Sequence, residues 1–311
     1  LWAFALSGFC ALSYEVLWTR ILVFFLGSTT YAFSTMLAAF LFGIGMGSFA
    51  FSWIVDRLKS LVNIFGIVQI AIGLTAVALI PAFGGLYAIS SMFQSMSGGG
   101  RFWVFASCVI VMSVPTLLMG VSFPLVVRIF TVKTSRLGRS IGNVYAVNTV
   151  GAILGAFSAG FILIPLIGIR ASIVLVAMLN AAVGFVLISR NEKTSKVVHT
   201  TAIGGTLLTV VLGVIILSVA NRPLFLRSAI FRIQRPGDTI VDYKEEIDAT
   251  VTTLKDDEGV YRLYVDTNQA ADASRWDSPS HRVIAHLPLL LHPNPERALV
   301  VGFGMGVTSY S

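Results

Sequence analysis

The residues of this chain that could do chemistry gather near its C-terminal end. Gly302, Gly304 and Gly306 follow directly on an apolar run, Ala298 to Val301. The run reads as a buried parallel strand, and the glycines as the tight turn after it, where backbone can approach a ligand closely. A strand, a glycine turn and a helix start is how doubly wound α/β domains build a nucleotide site, although G-x-G-x-G alone is a weak signal. Three histidines precede the turn: His281, His286 and His292. Their spacing misses the i, i+4 face of a helical metal site, so no metal is expected. His281 stands near the start of an expected helix, Ser280 to Leu291, while His286 and His292 read as structural or exposed.

A second group lies at the other end, in SYEVLWTR, where Glu15 and Arg20 fall inside an apolar run. Ionisable groups there are costly and often functional. Five residues place the two roughly 140° apart around a helix, which strains a direct pair. Arg20 reads as a snorkelling side chain. Glu15 reads either as an interhelical contact or as a substrate or proton site. Cys10 and Cys108 both sit in apolar runs without a CxxC partner and read as buried packing residues.

The surrounding composition says what must position these groups. The chain is 56% hydrophobic and 12% charged, against roughly 25% charged in an ordinary soluble domain. Mean hydropathy is +0.84. Residues 1–220 hold 12 Lys/Arg and 3 Asp/Glu, whereas residues 221–311 hold 10 and 12. Basic excess confined to the apolar part suits loops flanking membrane spans and argues against nucleic-acid binding. The partner implied is the lipid bilayer, at the cell (inner) membrane.

A helix needs about 20 mostly apolar residues to cross a bilayer. Seven segments qualify, at residues 1–26, 30–54, 61–82, 102–127, 141–166, 169–189 and 199–220. Basic residues follow the second span (Arg57, Lys59), the fourth (Arg128, Lys133, Arg136, Arg139) and the sixth (Arg190, Lys193, Lys196), which assigns those loops to the cytoplasm. Seven spans then leave the C-terminal part outside. Arg222, Arg227, Arg232 and Arg235, after the last span, favour a cytoplasmic exit instead. Gly43 with Gly47, and Gly151 with Gly155, are small-xxx-small pairs that suit close helix packing. Pro115 and Pro124 would bend the fourth span. Gln69, Asn148 and Asn180 read as interhelical hydrogen-bonding residues.

The domain division expected is 1–220 transmembrane, 221–242 linker, 243–292 a β-hairpin and helix, and 293–311 the truncated start of a Rossmann-like domain. The hairpin pairs Ala249–Leu254 with Val260–Val265 across KDDEG, and DTNQAADASRWDSPS reads as polar loop. A first residue of Leu and a last residue inside a motif read as a fragment cut at both ends.

Two resemblances add to this. GSFAFSWIVDRLKS is similar, through Gly47, Asp56 and Arg57, to the loop after the second helix in the major facilitator superfamily. YRLYVDTNQAAD, followed by SHRVIAHLPLLLHPNPERALVVGFGMG, resembles the spermidine synthase (polyamine aminopropyltransferase) family. The whole arrangement, including YEVLWTR and GNVYAVNTVGAILGAF, resembles its membrane-fused bacterial members. The fold this implies is an α-helical multi-pass bundle of about seven spans, then a small β domain, then the start of a Rossmann-like α/β S-adenosylmethionine-dependent transferase domain. By resemblance, Gln269 helps hold the nucleoside, and His281 lies at the polyamine and thioether end. Gly302, Gly304 and Gly306 turn beside the donor, decarboxylated S-adenosylmethionine or S-adenosylmethionine. A small-molecule amine is the acceptor implied, and a homo-oligomer is left open. The family's amine-contacting aspartate is Met305 here, its Asp-Gly is Asp266-Thr267, and the tyrosine before the histidine is Ser280. The expected catalytic acid would lie beyond Ser311. The leading reading is thus a membrane-bound aminopropyl or related group transferase, as a fragment lacking the catalytic half. A transporter or sensor with a non-catalytic ligand-binding domain is the alternative, and a fold that kept its shape and lost its activity is a third.

Overall fold

The computed structural model describes residues 1–26, 29–86, 89, 91–92, 101–130, 137–219, 237–272 and 278–301. The chain forms two compact units, Leu1–Ser228 and Ala229–Ser311.

The first unit is a bundle of long apolar helices: α1 (Trp2–Leu26), α2 (Thr29–Ser52), α3 (Leu61–Gly84), α4 (Arg101–Phe130), α5 (Leu137–Ser158), α6 (Ile164–Ser189) and α7 (Lys196–Val219). By length and composition, six continuous helical stretches among the described residues can cross a membrane. One of these, Ile141–Ser189, is 49 residues long, which at 1.5 Å per residue is roughly 74 Å and more than twice a bilayer core. It turns at Gly168, where φ is 77° and ψ is 166°. That conformation is open essentially to glycine alone, so the stretch is two spans, α5 and α6, joined through a π-helical turn at Ala159–Leu163. The Ser172 hydroxyl donates to the Gly168 carbonyl at 2.6 Å and takes up one acceptor freed by the break. The chain thus forms a multi-pass helical bundle with seven membrane-length arms. α4 continues as one helix through Pro115 and Pro124.

The basic loops meet at one end of this bundle. Arg128 at the end of α4 pairs with Asp56 in the α2–α3 connection at 3.1 Å. In the α6–α7 connection, Asn191 Nδ2 and Thr194 Oγ1 donate to Asn63 Oδ1, at the start of α3, at 2.7 and 3.0 Å. α7 starts at this end and runs 24 residues away from it.

Glycine sets the spacing of two helix pairs. A Cβ on Gly151 or Gly155 of α5 would lie 1.9 Å from the Ala5 carbonyl oxygen or 2.0 Å from that of Phe9 on α1. On α2, a Cβ on Gly47 would lie 2.1 Å from the Leu117 carbonyl oxygen of α4. Backbone is what these glycines touch, so no side-chain adjustment could make room. Polar groups bridge the same helices: Ser13 Oγ donates to the Gly155 carbonyl at 3.0 Å and Ser48 Oγ to the Gly120 carbonyl at 2.7 Å. Cys10 and Cys108 are both buried.

The second unit contains a four-stranded antiparallel meander, β1 (Thr239–Glu245), β2 (Thr250–Lys255), β3 (Tyr261–Val265) and β4 (Asn268–Asp272), in that order, with helix α8 (Ser278–Leu291). The hairpin expected from alternation is β2–β3, with Gly259 at φ 82° closing its turn. Its two neighbours were not expected. β1 starts inside the segment read as linker, and β4 inside the segment read as polar loop. Both lie at the sheet's edges, where one face is enough and the apolar alternation of a central strand is not required. The run Ala298–Val301 is not a buried strand. It is irregular, with Leu299 and Val301 87% and 90% exposed. A parallel strand exists only against neighbouring strands, and none pairs with it among the described residues. No Rossmann domain is seen among those residues.

Replacing Gly155 or Gly168 by Ala is expected to destabilise the bundle by about 1–3 kcal/mol each, from overpacking and from backbone strain. Gly204→Ala, where an added Cβ meets nothing within 4 Å, should leave it unchanged. Thermal unfolding of the detergent-purified protein checks all three; equal effects at all three positions would show that close approach does not set stability.

Candidate functional site

Each unit carries one candidate site. In the sheet unit it centres on the β3–β4 turn. The turn residue Asp266 adopts φ 54°, a left-handed conformation that Asp tolerates better than most residues. Its backbone N–H donates to the Thr250 carbonyl at 2.7 Å, and its Oδ1 accepts from the Thr250 N–H at 2.9 Å. One aspartate thus ties the β3–β4 turn to the start of β2. Three residues on, Gln269 projects from β4 opposite Tyr264 of β3, and the Tyr264 hydroxyl donates to Gln269 Oε1 at 3.3 Å. Gln269 is exposed and its amide is oriented by the sheet.

Beneath this surface, Arg262 of β3 forms a buried ion pair with Asp238, just before β1. Arg262 Nε has no partner of its own. The pair sits where sequence alternation would put an aliphatic residue, so the pattern gave no sign of it. Its effect is to fasten β1 across the hairpin.

His281 lies in the first turn of α8, and only its backbone is described. Gly302, Gly304 and Gly306 lie outside the described residues. Gln269 alone of the expected nucleoside contacts therefore has a described side chain. Among the described residues no group of three or more His, Cys, Asp or Glu could hold a metal.

The helical unit carries a half-open cavity of about 320 Å³ lined by residues of α1, α2, α4 and α5. Its polar wall is made by Ser7, Ser48, Ser122 and Asn148, and its aromatic wall by Phe4, Phe40, Phe123 and Tyr145. Behind it, fully buried Gln69 of α3 donates through Nε2 to Ser7 Oγ at 3.0 Å and Ser122 Oγ at 3.3 Å. Asn180 similarly donates to the Tyr14 hydroxyl at 3.4 Å. Gln69 and Asn180 are interhelical contacts, as expected. Asn148 differs: it lines the cavity, and no hydrogen bond to its side chain occurs among the described residues. Gly8 makes room for it, since a Cβ there would lie 2.6 Å from Asn148 Oδ1. Glu15 and Arg20 lie on α1, and no ion pair joins them.

The chain is 23% identical over 315 residues to the polyamine aminopropyltransferase of Oceanobacillus iheyensis, covering 99% of this chain and 56% of that protein. It is 26% identical over 307 residues to the polyamine aminopropyltransferase of Leptospira interrogans, covering 96% and 55%. The chain is a distant homologue of the polyamine aminopropyltransferases. A further relative, polyamine aminopropyltransferase 2 of Streptomyces coelicolor, is 26% identical over 184 residues, 58% of this chain and 31% of that protein. The chain spans about half the length of the first two aminopropyltransferases. No protein-family profile matches it, and no solved structure matches it.

Removing one partner of the buried pair strands a charge. Asp238→Ala is expected to cost about 3–5 kcal/mol, and Glu258→Ala, in the exposed hairpin turn, under about 0.5 kcal/mol. Urea-dependent proteolysis of the sheet unit in the full chain checks this. Equal midpoints would show that the pair does not hold the sheet together.

Proposed function

We propose that the protein to which this chain corresponds is a membrane-bound aminopropyltransferase, and that the sheet unit forms one wall of its donor site. One observation carries the reading. Similarity to two polyamine aminopropyltransferases runs through both units in order, over 99% and 96% of the chain. In the proposed reaction an amine nitrogen attacks the aminopropyl carbon of decarboxylated S-adenosylmethionine. The carbon–sulfur bond breaks, methylthioadenosine leaves as a neutral thioether, and the amine gives up a proton. Such a site works mainly by holding amine, carbon and sulfur in line. Gln269, oriented by Tyr264 and by the turn that Asp266 braces, would hold the nucleoside. His281 would stand at the thioether end, and Gly302, Gly304 and Gly306 would form the turn beside the donor. Met305 cannot pair with an ammonium, so the acceptor must be held by groups other than residue 305.

The test is formation of methylthioadenosine by the full-length protein from decarboxylated S-adenosylmethionine and a diamine. Gln269→Ala is expected to lower kcat/KM at least tenfold, mainly through KM. No methylthioadenosine with any alkyl amine would overturn the reading.

The side of the membrane is a separate question with its own test. Adenosyl donors are made in the cytoplasm, and the reaction needs the sheet unit there. Seven spans counted from cytoplasmic basic loops would put it on the opposite face, whereas Arg222, Arg227, Arg232 and Arg235 after the last span favour a cytoplasmic exit. We expect a cysteine at Glu258, in a Cys10→Ala, Cys108→Ala background, to resist an impermeant maleimide until cells are lysed. Labelling of intact cells would instead favour a domain that binds ligand without turnover.

A further inference from the structure

The helical unit contains a repeat that its packing makes visible. Exchanging each of α1, α2 and α3 with α4, α5 and α6 leaves the pattern of helix contacts unchanged. α1 packs on α5 as α4 packs on α2, α3 packs on α6, and the lesser contacts α3–α4 and α1–α6 also exchange. The sequence echoes this. Gly43-Ile-Gly-Met-Gly-Ser-Phe-Ala in α2 matches Gly151-Ala-Ile-Leu-Gly-Ala-Phe-Ser in α5, and both glycine pairs press on the exchanged partner helix. Repeats of three spans enter the membrane in opposite senses, so this is an inverted repeat. Folds of that kind place small-molecule sites where the two repeats meet.

The cavity lies at that junction, walled by α1 and α2 of one repeat and α4 and α5 of the other. Its volume, about 320 Å³, falls at the lower end of the small-molecule range of roughly 300–1,000 Å³. Its chemistry is selective. No Lys or Arg lines it, which leaves an anion without a counter-charge. Ser7, Ser48, Ser122 and Asn148 supply oxygen acceptors, and the rings of Phe123 and Tyr145 supply π faces that attract a cation. Gly8, Ala11 and Leu12 form the α1 wall. Glu15 follows on the same stripe, three residues after Leu12 and four after Ala11. Its Cα–Cβ bond tilts back toward them, as every helical side chain does. No hydrogen bond or ion pair to the Glu15 carboxylate occurs among the described residues. A half-buried acid without a cation among the described residues, inside a span, beside a mainly apolar cavity that carries four oxygen acceptors, is a charge set out for a ligand.

We propose that this cavity binds a small aliphatic amine cation, with Glu15 as its counter-charge, and that the helical unit is a ligand-handling module in its own right. The proposal does not rest on the transfer reaction. The probe must therefore report on this cavity alone, because a donor–acceptor site in the sheet unit would also bind amines. Ala11→Cys, in a Cys10→Ala, Cys108→Ala background of the full chain in nanodiscs, places a thiol in the α1 wall. Its rate of reaction with N-methylmaleimide is measured against 1,4-diaminobutane, neutral 1,4-butanediol and anionic succinate. The diamine should slow labelling at least fivefold and saturably, and the other two should not. Glu15→Gln, which keeps shape and removes charge, should raise the half-protecting concentration at least tenfold, and Asn148→Leu should do the same. Ser48→Cys on the facing wall serves as a second reporter should the first variant not fold. Protection by the diol equal to that by the diamine would overturn the proposal. So would protection unchanged in both variants, no protection by the diamine, or thiols at both positions that no maleimide reaches.

Discussion

Close approach of backbones at glycine is the constraint on which the helical unit depends. In lipid there is no hydrophobic force between helices, so association rests on packing and on interhelical hydrogen bonds. Gly151 and Gly155 bring α5 onto the carbonyls of α1, and Gly43 and Gly47 bring α2 onto α4. Hydrogen bonds from Ser13 and Ser48 to carbonyls on the facing helix are possible only at that spacing. The cavity follows from the same geometry. Gly8, beside which Asn148 lies, and Ser48, next to Gly47, both line it.

The polar groups in the bundle show two ways of meeting the cost of burial. Gln69 gives both amide hydrogens to serines on other helices, and Asn180 gives one to Tyr14. These bonds fix which helices are neighbours. Gln69 Oε1, Asn180 Oδ1 and Trp18 Nε1 have no partner among the described residues, a cost that packing alone does not explain. Gln69 is the informative one, because the serines it holds face the cavity.

How much of this was legible in the sequence depends on how local the signal is. Span positions are set by runs of about 20 apolar residues, and the long helices fall on the seven runs read from hydropathy, with the break between the fifth and sixth at Gly168. The β2–β3 hairpin was legible because both strands alternate and the Asp256–Gly259 turn is local: Asp256 Oδ1 accepts from the Glu258 and Val260 N–H groups. What was missed is non-local. β1 and β4 owe their pairing to the hairpin between them, and Arg262 is tolerated inside the sheet only because Asp238, 24 residues earlier, meets it. Asn148 read as an ordinary interhelical residue, since nothing in its neighbourhood along the chain says that Gly8 leaves space opposite it.

The two units place different demands on one chain. The sheet unit holds Gln269 beside the Tyr264 hydroxyl, in a chain distantly homologous to the polyamine aminopropyltransferases. The helical unit could serve merely as an anchor, but an anchor needs neither a cavity with serine and asparagine in its wall nor an acid in a span with no cation beside it among the described residues. Single spans anchor proteins; two three-span repeats and a seventh span are a costly way to do so. The first repeat carries Glu15 in a span where leucine would be more stable. Structure maintained against stability in this way is the physical mark of a site. The helical unit is therefore better understood as a second working part, joined to a domain that is related to enzymes acting on amines.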